Sequence, residues 1–357
     1  MVDIARALAI AVAIAVAVVY YRSTTGGSSS RDPSAKAQKL GLLPASQQNA
    51  SRAAPEPELE LAQAAAARGI WEPAARLLAS SRERRDWARR SHYTAAFGDH
   101  RAARPDSWLA AWEASVGPDD PDAVLVRAQA TIALAWHLRG GGWAKDTSRE
   151  QFAGFHSTLV QAPAENARAA DLNPDDPGPH VNEIWVAVGL GRSHADMQTL
   201  WKEITARDPY HYAAHCAALQ FWCAKWRGSE ELAASFAREA AATAPRGSLL
   251  AALPLIAWYE HHDDGAKAGD FRTPELTAAV DAALADVAAA PAGHPNTAEV
   301  RHLLAYFLTR QKRYDEALAQ FRLVDGSVGA RPWSSWSDPA GVYCLWRERA
   351  ARGARRP

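Results

Sequence analysis

At 357 residues, with 40 Lys plus Arg against 40 Asp plus Glu, the chain carries no formal net charge, which excludes a uniformly basic protein that coats nucleic acid. Its 79 alanines, and the scarcity of Val, Ile and Thr runs after residue 25, exclude a β-rich fold: alanine is the best helix former and β-branched residues favour strands. Three cysteines, Cys216, Cys223 and Cys344, are too few and odd in number for a disulfide framework.

Taken from the amino terminus, Ala7 to Tyr21 is an uncharged run of Ala, Leu, Ile and Val flanked by Arg6 and Arg22. As a helix it spans about 22 Å, and extending it to Ile4 with both arginines snorkelling brings it near the roughly 30 Å of a hydrocarbon core. Tyr20 and Tyr21 sit where an interfacial belt would hold them. Residues 1–22 are therefore expected to form a single membrane anchor. A cleaved signal peptide fits less well, because the segment before Arg6 is not clearly basic and Tyr-Tyr-Arg-Ser-Thr-Thr lacks small residues before a cut. Residues 23–54, rich in Gly, Ser, Pro and Gln and without a helical apolar stripe, are expected to be a disordered linker. Arg22, Arg31, Lys36, Lys39 and Arg52 face one acid there, Asp32. Residues 347–357 repeat the bias as a basic tail, with Arg347, Arg349, Arg352, Arg355 and Arg356 against Glu348. Basic residues beside a membrane segment stay in the cytoplasm, so the reading is a single-pass protein of the cell membrane with a cytoplasmic body.

The body, residues 55–346, shows a recurring helix ending: Ala170-Asp-Leu-Asn-Pro174, Ala206-Arg-Asp-Pro209, Ala242-Thr-Ala-Pro245 and Ala288-Ala-Ala-Pro291. A proline past a helix forbids its continuation, so each marks the close of a helical pair, and a period near 35 residues predicts an α-solenoid of antiparallel pairs. Near the carboxyl end Leu304-Ala305-Tyr-Phe-Leu308 precedes Tyr314-Asp-Glu-Ala317-Leu-Ala-Gln-Phe321, with small Ala305 and Ala317 where two helices would close. At the start, Leu61-Ala62 precede Gly69, Trp71, Ala74 and Leu78. These units resemble the tetratricopeptide repeat, and the chain is similar to repeat proteins of high-GC bacteria. The likeness covers about residues 58 to 325 and loosens in the middle, where Met197 replaces a small residue and Trp201 holds the aromatic position.

Most of the fourteen tryptophans are expected to fill a core that alanine leaves short of volume. Trp108 with Trp112, and Trp222 with Trp226, are four apart and predicted to share a helix face. His211 and His215 have the same spacing but lack a third ligand, and Tyr259 to Gly265 gathers His261, His262, Asp263 and Asp264 at a helix end, read as a solvated terminus. Cys216 and Cys223 read as inert thiols, and Arg139 to Gly142 as a helix stop, because no phosphate-loop Lys follows it. No catalytic residue, metal site or cofactor is predicted.

The tetratricopeptide resemblance implies a groove on the inner face of each first helix. Carried onto this sequence it selects His302, Tyr306, Thr309 and Arg310 in the last unit, and His215, Trp222, Lys225 and Trp226 in the unit ending at Pro245. The expectation is a non-catalytic scaffold, tethered by its amino-terminal helix to the membrane, that binds a protein or peptide partner and no nucleic acid. The alternative is an α/α toroid acting on carbohydrate with two carboxylates, for which Glu183 and Asp263 are candidates.

Overall fold

The computed structural model describes residues 39–141 and 147–355. The expected anchor and the first part of the linker, with Gly142, lie outside them. Among the described residues the fold is all-helical, and β pairing is confined to one isolated parallel bridge between Asn49 and Ser327. No described helix is long and apolar enough to cross a membrane. The chain divides into two compact units, one of residues 56–253 with 288–297, the other of residues 39–55, 254–287 and 298–355.

In the first unit the helices are α1 (Pro57–Ala66), α2 (Glu72–Glu83), α3 (Trp87–Phe97), α4 (Trp108–Val116), α5 (Pro121–Arg139), α6 (Arg149–Leu159), α7 (Ala162–Leu172), α8 (Gly178–Leu190), α9 (His194–Arg207), α10 (Tyr212–Trp222) and α11 (Glu230–Thr243). Successive helices pack as hairpins, α1 on α2, α8 on α9 and α10 on α11. The prolines mark the ends as expected: α7, α9 and α11 each stop two residues before Pro174, Pro209 and Pro245. Helix starts are equally local, with Ser107, Ser148, Ser193 and Ser229 each accepting from a backbone N–H of the first turn. Trp71, Trp112 and Trp108 form a stacked series at 6.0 Å steps in the core around Leu78 and Leu109, so this pair staples helices together. Trp222 and Trp226 share no helix, because α10 stops at Trp222 and the chain turns tightly enough that a Cβ on Gly228 would strike the Trp222 carbonyl. On α8, Gly189 admits Leu159 and Phe155 of α6, either of which an added Cβ would strike.

The most buried charge in this unit is Arg90 on α3, 1% exposed. It binds Asp122 at the start of α5 (2.7 Å), Asp176 before α8 (2.5 Å) and the Leu78 carbonyl of α2 (3.2 Å), so one guanidinium joins four helices. Asp176 also accepts from the Gly178 N–H that opens α8.

In the second unit lie α12 (Leu253–His262), α13 (Pro274–Ala289), α14 (Thr297–Arg310), α15 (Tyr314–Val324) and α16 (Pro339–Gly353). Ala305, Ala317 and Phe321, the residues that carry the repeat likeness, are fully buried here. Two expectations need correction. Residues 39–54 are an ordered strap: Leu42 is buried with Leu318, the Asn49 and Val328 N–H groups donate to Gly326 and Asn49 carbonyls, and Gly329 approaches Arg52 too closely for any side chain. The strap lacks an apolar stripe because its backbone hydrogen bonds and one leucine hold it. The basic tail is corrected likewise, since α16 runs to Gly353 and Arg347 is 1% exposed, bound to Asp325 at 2.6 Å. Asp325 also accepts from the Leu43 N–H and the Gln48 amide, joining strap to α16.

Candidate functional site

The predicted groove residues divide between the interior and the surface. In the first unit His215 is buried, edge-on to Trp201 at 4.8 Å, and its Nδ1–H donates to the His211 carbonyl at 2.9 Å. Burial pushes its imidazole down to about 4, so it is neutral at ordinary pH. Trp222 and Trp226 are half-buried, the first against His194 at 4.9 Å and the second against Trp136 at 5.5 Å, and Lys225 alone of the four is exposed. In the second unit His302 and Thr309 are 0% exposed and Tyr306 is buried. His302 Nδ1 accepts from Trp333 Nε1 (3.0 Å) and its Nε2–H donates to the Ala53 carbonyl of the strap (3.1 Å). The Tyr306 hydroxyl donates to Asp263, Thr309 donates to the Ala305 carbonyl, and the Arg310 guanidinium lies 3.8 Å over Phe271. In the second unit His302, Tyr306 and Thr309 belong to the interior, where the strap and Trp333 bind His302, so these three do not line an open groove; Arg310, Trp222 and Trp226 are half-buried and Lys225 is at the surface.

The arrangements that resemble chemistry resolve into structure. Ser91 Oγ lies 3.0 Å from His211 Nε2, the spacing of a nucleophile and its base. But His211 sits just before α10 and its Nδ1 accepts from the Ala214 N–H, so Nε2 carries the proton, facing Ser91 and the Trp87 carbonyl. It therefore cannot take the serine proton. Glu165 and Glu183 are held above the usual carboxylate range by burial, against the opposing pull of Thr131 and Arg127 on the first and of Asn166 and Arg192 on the second. Glu183 accepts from Asn166 at 2.8 Å, whereas Asp263 takes the Tyr306 hydroxyl in the other unit. Among the described residues no group of three His, Cys, Asp or Glu could hold a metal ion.

An open groove of about 730 Å³ lies between α1 and α2 among the described residues, lined by Glu58, Leu61, Arg76, Leu77, Ser80 and Glu83 with smaller neighbours. α1 buries Leu59, Ala62, Ala65 and Ala66 on one stripe, and α2 buries Ala74, Leu78 and Ser81. Leu61 falls off that stripe and is 72% exposed. Glu58 and Glu83, both exposed, form no ion pair among the described residues. With two carboxylates against one cation, Arg76, and an exposed leucine, the lining favours a ligand that pairs an apolar anchor with a cation. The readable signal for this site was a leucine out of register with the buried spacing of its own helix. Arg90 left the opposite signal, a charge in register with Trp87, Tyr93 and Phe97. Compared with known proteins, the chain matches no family model, no curated protein and no solved structure.

Proposed function

We propose that the chain is a non-catalytic helical-repeat scaffold, tetratricopeptide-like in its hairpins, that seats a partner peptide in the α1–α2 groove and is tethered to the membrane by the segment around Ala7–Tyr21, with its body in the cytoplasm. The observation that carries the reading is the groove itself, an open channel of mixed character with Leu61 at its lip and two acids outside any ion pair among the described residues. Support comes from the buried small residues at the hairpin closures, Ala62 with Ala74 and Ala305 with Ala317, at the spacing the repeat resemblance implies. The neutral, locked histidines and the hydrogen-bonded buried acids serve architecture.

A random-peptide display library panned on the full chain tests this. The expected outcome is enrichment of peptides that pair Leu or an aromatic residue with Lys or Arg, lost when Leu61→Glu replaces the native residue. No enrichment, or enrichment indifferent to Leu61→Glu, overturns the reading.

A further inference from the structure

The sequence places a basic excess near each end of the chain, and the described parts of both ends belong to one unit. Leu40 of the strap packs with Ala351 and Ala354 of the chain's last turn of helix on the buried pair Leu42 and Leu318. Lys39 is exposed beside Leu40, and Arg352 and Arg355 are exposed beside Ala351 and Ala354. Arg349 adds a cation to the same end of α16, its guanidinium 5.4 Å over Trp346. Leu345, Arg349 and Arg352 are four and three residues apart and so share one helical face, with Leu345 49% exposed.

The charges facing this end are accounted for element by element. On α15, Asp315 accepts from the Arg355 backbone N–H, and Glu316 is bound by Arg313, which also binds Asp281 of α13. Lys312 is exposed just before α15. Asp325 and Glu348 are engaged inside, the first with Arg347. Six cations (Lys39, Lys312, Arg313, Arg349, Arg352, Arg355) thus meet three carboxylates, and Arg356 follows in the sequence while Arg31 and Lys36 precede. The body that carries this patch is acidic in the sum, since the whole chain is neutral.

We infer that this end of α16, with the start of the strap, is a binding surface for anionic lipid headgroups. A polyanion of any kind would be attracted, but two observations favour lipid. The face combines a leucine and a half-buried tryptophan with arginines, the composition that settles at a headgroup boundary. The chain also continues upstream from Lys39 through residues 22–38, which can reach at most about 60 Å, into the uncharged run Ala7–Tyr21. The tether starts from this face at Lys39, so the face lies within its reach of the bilayer. The inference shares the membrane placement of the proposed function but not its peptide groove.

The experiment uses the full chain carrying Ile14→Asp and Val18→Asp, which abolish insertion of the apolar run, in co-sedimentation with phosphatidylglycerol-rich and with pure phosphatidylcholine vesicles. Binding to the anionic vesicles alone is expected, reversed by high salt. Arg349→Glu/Arg352→Glu/Arg355→Glu should weaken it by about tenfold or more, since each cation near an anionic surface contributes substantially. The neutral Gln triple should give a smaller loss, and serves if the Glu triple loses its helical circular dichroism. The same reversal at exposed Arg68, Arg238 and Arg246 should change little. Equal binding to both vesicles, an equal loss in the control triple, or a single-stranded oligonucleotide that binds as tightly as the anionic vesicles would each overturn the inference. Leu61→Glu should leave vesicle binding intact, so failure of the peptide reading and failure of this one are read separately.

Discussion

The first and last hairpins have the same sequence grammar and opposite fates. In α1–α2 and in α14–α15, each helix carries a buried alanine (Ala62 and Ala74, Ala305 and Ala317), with buried apolar residues at helical spacing. The first is fastened from behind, by the Leu78 carbonyl on Arg90, and keeps its outer channel open with Leu61 in solvent. The last is covered from in front, where Ala53 and Trp333 bind His302 and Asp325 draws in both the strap and Arg347. A repeat motif therefore specifies a hairpin without specifying which face stays free. That is settled by segments far away in sequence, and the lesson is that a groove predicted from the motif must be checked against what covers it.

The fastening of the first hairpin carries the largest expected effect. Arg90→Met removes the buried cation from Asp122 and Asp176, both about 2% exposed, and leaves Asp122 with Arg82 alone and Asp176 with no cation, only the Gly178 N–H and Asn173. Breaking a buried pair by deleting one partner costs about 3–5 kcal/mol, and urea unfolding should show a loss of that order. If Arg90→Met were neutral, the idea that the open hairpin depends on a rear fastening would fall.

Second comes the cover of the last hairpin. Asp325→Ala leaves Arg347 buried without its carboxylate and frees the Leu43 N–H and the Gln48 amide. A loss of about 2–4 kcal/mol is expected. Hydrogen exchange should report it locally, with the Asn49 and Val328 amides exchanging faster and those of α1 and α2 unchanged.

The third effect is acid sensitivity. Burial takes His302 from an ordinary 6.5 to about 4. Between those values the unfolded chain binds the proton that the folded chain refuses, so stability is complete above about 6.5 and is lost as pH falls toward 4. A shift of that size corresponds to about 3 kcal/mol at the limit. Protonation would set a new N–H on Nδ1 against the Trp333 Nε1–H that it now accepts. His302→Gln should flatten this part of the stability profile. His215, also held at about 4, gives the first unit a dependence of the same sign.

How much of this was legible follows the range of the interaction. Helix ends at Pro174, Pro209 and Pro245 were readable because a proline acts on its own neighbours. Arg90 was not, since Asp122 and Asp176 lie 32 and 86 residues away and no local pattern pairs them. The strap was misread as linker because its order comes from backbone bonds to Gly326 and Val328, and composition reports side chains. His302, Tyr306 and Thr309 were placed on the right helix, but their surroundings are set by the strap and by Trp333, which the repeat pattern does not contain.

The smallest effect on stability is also the sharpest on function. Leu61 is 72% exposed and off the buried stripe of α1, so Leu61→Glu removes almost no packing and should change stability by no more than about 0.5 kcal/mol. The new carboxylate would stand at the lip of the channel near Glu58 and Glu83, where an apolar anchor must lose its water and a third negative charge cannot supply the contact. Peptide binding measured by titration should therefore disappear while the urea midpoint stays put. In α14–α15 no such separation is available: Tyr306 and Thr309 are buried and hydrogen-bonded, so substituting either disturbs folding along with any surface property. A residue whose loss costs the fold nothing yet removes binding belongs to an open face, and Leu61 is the position of the open hairpin at which that criterion is put to the test.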